Sequence, residues 1–163
     1  MTLAQSPLPH VAKQRRRSMA RFLGLSGRIV LESIADLNEL LGWPLGRGKI
    51  VAFLIGTDSA FARANELHTL SQFGLFQLFR RTWSDRILDY LVETKYLHAA
   101  QGARPVITLT AMAEQLLHHP DELPTFPSEI LSDAVLGPSC PTCELEQKLR
   151  IVRARIARLT HRH

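Results

Sequence analysis

In residues 95–110, KYLHAAQGARPVITLT, a helical pattern gives way to two short extended runs around Gln101-Gly102-Ala103-Arg104, the second ending in Val106-Ile107-Thr108. Polar, glycine-containing residues between two such runs predict a hairpin. A lone two-stranded hairpin is at best marginally stable in water, so its neighbours must supply a surface for it to pack on. What flanks it therefore limits the fold.

Upstream, TWSDRILDYLVETKYL sets Trp83, Ile87, Tyr90 or Leu91, and then Thr94 along one side of a helix over residues 83–94. Thr82 and Asp85 stand in the Ser/Thr-x-x-Asp/Glu relation of a capping box. Downstream, residues 110–117 predict a return helix. Earlier, Val30, Ile34, Leu37 and Leu41 recur at helical spacing, predicting an amphipathic helix over 28–41 that Ser26 caps and Gly42-Trp43-Pro44 stops. Residues 48–55 are short and mostly apolar, fitting two helical turns or a buried strand. A short helix near residues 65–70 and a turn at Gly74 follow, with phenylalanines filling the core. Three helices, a hairpin and a return helix in this order predict a mainly α fold with a small β-hairpin. That is a winged helix, a helix-turn-helix variant, with residues 83–94 as the recognition helix and the hairpin as wing.

The expected domain spans residues 27–118. Residues 1–26, with Pro7, Pro9 and Arg15-Arg16-Arg17, are expected to form a flexible basic arm. A Pro-rich linker or loosely packed extension over 119–143 contains Pro120, Pro124, Pro127 and Pro138. An amphipathic basic C-terminal helix over 144–160 follows, where Leu145, Leu149, Val152, Ile156 and Leu159 take heptad steps for only about two heptads. Pairing through 144–159 would give a homodimer. No apolar run approaches the roughly 20 residues of a membrane span, and no apolar stretch follows the N-terminal charges as in a secretory signal. The expected location is cytoplasmic, associated with the nucleoid in a bacterium, with no membrane partner.

A net charge of +5 and a sequence pI near 9.8 favour polyanionic partners. Candidate phosphate contacts are Arg47 and Lys49 before the short segment, and Arg80, Arg81, Ser84 and Arg86 around the start of the recognition helix, where Thr82 offers a further hydroxyl. Arg104 lies at the wing tip with Gln101, Gly102 and Ala103. The outward positions Asp85, Asp89 and Glu93 disfavour reading of the major groove. Trp43 and Trp83 are expected in the core, and His98 as a structural histidine. Cys140 and Cys143 with His161 and His163 are ligand types that zinc accepts, but a continuous helix would hold the two pairs about 24 Å apart. One site then needs a bent segment or two chains; the alternative is two free thiols and a histidine tail, with no cofactor.

IVLESIADLNELLGWPLGRGKIVAFLIGTDS, LHTLSQFGLF and WSDRILDYLVETKYLHAAQGARPVITLTAMAEQLL together resemble the RQC domain of RecQ-family DNA helicases over residues 28–117. The matching pieces are Gly48, Leu54-Ile55-Gly56-Thr57, Phe73-Gly74, Trp83 to Leu91, and Leu109-Thr110. The resemblance implies a module of DNA replication and repair that grips duplex DNA by its backbone and sets its wing at a fork. The family's wing tip carries an aromatic or histidine wedge; here Arg104 takes that position, and a guanidinium is a weaker wedge. The chain carries no GxxxxGK(S/T) loop and no acidic motor motif, so it is not expected to act as an enzyme alone. It would be a stand-alone protein or part of an ATP-dependent 3'-5' helicase. The other readings are a winged-helix transcription regulator and a dimerising protein-interaction module.

Overall fold

A computed structural model of the chain describes residues 9–79 and 81–136, with Ala154 alone beyond them. Helix α1 spans Pro9–Leu41, 33 residues, or about 50 Å at 1.5 Å per residue. Its N-terminal half corrects the expectation of a flexible arm over 1–26 for residues 9–26, which are helical, with Met19, Phe22, Leu23 and Ser26 buried. The inward stripe runs on through Ile29, Val30, Ser33, Ile34, Leu37 and Leu41 at helical spacing.

After Gly42, Leu45 and Gly46 run beside the hairpin, and then α2, Arg47–Ile55, buries Ile50, Val51, Phe53 and Leu54. The segment that fitted either a helix or a strand is thus a helix. It ends at Gly56, whose φ of +76° is a left-handed conformation that glycine adopts freely. Gly56 also meets Gly74 backbone to backbone: a Cβ there would stand 2.9 Å from the Gly74 Cα. That approach lets Gly74 N–H donate to Phe53 C=O at 3.0 Å and Phe76 N–H to Leu54 C=O at 2.8 Å.

The helix expected near 65–70 is corrected to two smaller pieces. Helix α3, Ala60–Ala64, is capped by Ser59, and a single 3-10 turn follows at Leu67–Thr69. Asn65 ends α3 by donating its side-chain amide to Phe61 C=O at 2.9 Å, and Glu66 takes a φ of +53°. Phe76 and Phe79 then enter the core, with Phe79 5.4 Å from Phe22.

Helix α4, Arg81–Glu93, faces inward with Trp83, Ser84, Ile87, Leu88, Tyr90 and Leu91. Thr82 lies inside its first turn, so it is not the cap that the Thr82–Asp85 pattern suggested. At the other end, Tyr96 N–H donates to Leu91 C=O and Lys95 N–H to Val92 C=O, with Lys95 at φ +69°: a Schellman closure. Strands β1, Leu97–Ala99, and β2, Ile107–Leu109, pair antiparallel, Leu97 opposite Leu109 and Ala99 opposite Ile107. Thr110 then caps α5, Ala111–Leu117, and donates its hydroxyl to Lys95 C=O at 2.6 Å, fixing the base of the hairpin. This is a winged helix.

Residues 118–127 hold to the domain, which corrects the expectation of a linker beginning at 119. Arg28 donates to His119 C=O at 2.9 Å and Glu122 C=O at 2.7 Å, and the Thr125 N–H donates to the Tyr96 hydroxyl at 3.2 Å. A Cβ at Gly27 would lie 2.8 Å from Pro124, so this strap crosses α1 where the helix has no side chain. Helix α6, Ser128–Leu136, packs on α1 with Ile130 buried. Apart from Ala154, the expected helix at 144–160 with its dimer seam, and Cys140, Cys143, His161 and His163, lie outside the described residues.

Candidate nucleic-acid interface

The site is organised by two consecutive residues. Gly46 forms a β-bridge with Val106, and the Ile107 N–H donates to Leu45 C=O at 2.9 Å, so the start of α2 is stitched to the wing. Arg47, the next residue, reaches α4: its Nη2 donates to Asp89 Oδ1 at 2.5 Å and its Nη1 to Asp85 C=O at 3.0 Å. The Asp85 carboxylate lies 3.7 Å from the same Nη1. Wing, α2 N-terminus and the exposed face of α4 therefore form one surface. Arg47 is half-buried and engaged with α4, which departs from its expected role as a free phosphate contact. Asp85 and Asp89 are four residues apart on α4, the spacing at which one guanidinium can serve both. That spacing was the available signal, and without the fold it named no partner.

Lys49 is exposed, its Nζ 3.7 Å from the centre of the Phe61 ring. Around it, α2 begins without a side-chain cap, and its first intrahelical bond is Ile50 N–H to Gly46 C=O. The amides of Arg47, Gly48 and Lys49 thus precede the ladder, where a helix end favours an anion. At the wing, Gln101, Gly102, Ala103 and Arg104 are all exposed. Arg81 and Thr82 are exposed on the first turn of α4, while Arg80 lies outside the described residues.

Several expected roles are corrected. Ser84 is 0 % exposed, its hydroxyl without a hydrogen-bond partner among the described residues, so it is no phosphate contact. It lies on the inward stripe with Ile87, Leu88 and Leu91, a spacing already present in the sequence. Arg86 is half-buried, its guanidinium 5.6 Å from the Trp83 ring and its Nη1 enclosed without a partner among the described residues. Trp83 is in the core as expected, packed edge-on against Phe22 at 6.0 Å. Trp43 is 52 % exposed, beside the exposed Leu40, and is no core aromatic. His98 faces outward because strand alternation buries its neighbour Leu97.

Among the described residues no three His, Cys, Asp or Glu side chains group as metal ligands, and no helix is long and apolar enough to cross a membrane. What the surface offers is hydrogen-bond donors and exposed cations, the chemistry that holds phosphate esters.

The chain matches no curated protein and no solved structure. The family model of the RQC domain matches residues 29–127, from the middle of α1 to the residue before α6 and well over half of the chain. The chain belongs to the RQC domain family, a non-catalytic winged-helix domain.

Proposed function

We propose that this protein binds duplex and forked DNA through the phosphate backbone, with little sequence preference, and sets its wing at the junction between paired and unpaired strands. The observation that carries this reading is the stitching of Gly46 to the wing and of Arg47 to α4, which makes three DNA-facing elements one rigid surface. Lys49, Arg81, Arg104 and the first amides of α2 hold phosphates there. Arg47 offsets the two carboxylates that would otherwise repel the backbone. Its setting is DNA replication or repair in the cytoplasm, alongside an ATP-dependent helicase motor.

The test is titration with blunt duplex, forked duplex and single strands of unrelated sequence at several salt concentrations. Sequence-independent binding that weakens steeply with salt and favours the fork is expected. Preference for one sequence would instead make the protein a regulator, and no binding at low salt would end the reading.

A further inference from the structure

The strongest unassigned feature lies outside the segment matched by the family model. In the N-terminal half of α1, Lys13, Arg16, Arg17 and Arg21 are exposed. At 3.6 residues per turn they fall within one arc of about 140°, on a face that the buried Met19, Phe22 and Ser26 do not share. None of the four makes an ion pair or hydrogen bond among the described residues, and no Asp or Glu occurs in the chain before Glu32. Asp121 borders the same cleft as Arg21 without pairing with it.

Where the stripe points is set by how α1 meets α4. Phe22 packs on Trp83, and a Cβ at Gly27 would touch Leu91 at 3.4 Å, so contacts advance along both helices in the same sense. The two N-termini therefore lie at one end of the domain. Helix α4 begins two residues before Trp83, whereas α1 continues thirteen residues before Phe22, about 16 Å further. Lys13, Arg16 and Arg17 of the stripe project past the start of α4, where Arg81 is exposed.

We infer that this cationic face of α1 is a second DNA-contacting surface, tracking the backbone of the duplex that α4 and the wing engage. This inference rests on the DNA-binding reading above. Lys13 to Arg21 span about 12 Å along the helix, which matches three or four phosphates at about 3.4 Å each along the axis of one strand. The surface thus lengthens the duplex footprint without touching the fork.

The test compares the full chain with the K13A/R16A/R17A/R21A variant, and with an R16K/R17K/R21K variant that keeps the charge. With duplex DNA, log Kd against log salt should lose about 3 to 4 units of slope in the alanine variant. The affinity lost between 50 and 200 mM salt should shrink roughly 100-fold, while fork preference and thermal midpoint hold. The lysine variant should keep the wild-type slope. An alanine variant with wild-type slope and affinity would overturn the inference while leaving the winged-helix reading intact; absence of any wild-type DNA binding would sink both. Retention on phosphatidylserine vesicles with an unchanged DNA slope would assign the stripe to a membrane surface instead, and also overturn it.

Discussion

Arg47 and Asp89, 42 residues apart in sequence, are joined at 2.5 Å across the interface between α2 and α4. Pairs this exposed contribute only about 0.2–1 kcal/mol to stability, so the main effect of the bond is on the charge of the outward face. Asp89→Asn should therefore tighten duplex binding severalfold and leave the fold intact, because it removes a carboxylate and frees part of the guanidinium. Arg47→Ala should weaken binding by about tenfold, since Asp85 and Asp89 then face the phosphates alone. Kd values at two salt concentrations check both, and weaker binding by Asp89→Asn would exclude this face from the DNA.

The wing tip makes a separate prediction. Arg104 is exposed at the turn, so Arg104→Ala should leave the unfolding midpoint unchanged. Its affinity for forked DNA should fall more than its affinity for blunt duplex. Equal losses on the two substrates would remove the junction role from the wing.

Phe22 tests whether the first half of α1 belongs to the fold. It is 1 % exposed and touches both Phe79 and Trp83. Phe22→Ala should cost about 3–5 kcal/mol, read as a lower urea midpoint. A truncation starting at residue 27 should be at least as damaging; an unaltered midpoint would return this segment to the status of an arm.

Gly56 can carry no side chain. An added Cβ would meet the Gly74 backbone at 2.9 Å, at a φ that L-residues disfavour. Gly56→Ala should destabilise by about 1–3 kcal/mol and loosen the bonds from Gly74 and Phe76 to α2, visible as faster amide exchange at those two positions.

Lys95 is the opposite case. It holds the left-handed position of the Schellman closure at φ +69° although it is not glycine. Lys95→Gly should raise stability by about 0.5–1 kcal/mol, because the strain relieved exceeds the added chain entropy. A thermal melt decides it.

The fold was legible in the sequence wherever periodicity was long and uninterrupted. Ile87 and Leu91 marked α4, and the β-branched Val106-Ile107-Thr108 marked the wing. The first half of α1 was hidden because Arg15-Arg16-Arg17 dominated the pattern, although Met19, Phe22 and Ser26 already continued the apolar stripe. In residues 119–136 the prolines suggested slack, whereas Pro124 is buried against Gly27. Trp43 and His98 were misplaced because facing at the end of an element is set by register and by the next element's packing, which local sequence does not carry. The candidate cations could be named from sequence, but which of them were already engaged within the fold could not. Arg47 meets Asp85 and Asp89, and Lys49 the Phe61 ring, partners supplied by the tertiary fold.

The hold of Arg28 on His119 and Glu122 has a bearing on how the chain reaches this state. Those bonds close over 91 and 94 residues of sequence, and α6 covers α1 from still further downstream. During synthesis the first helix is made long before the segment that shields it. The part of α1 that the strap and α6 cover must therefore wait until residues 119–136 emerge, and the domain completes itself late, through distant contacts that are slow to form.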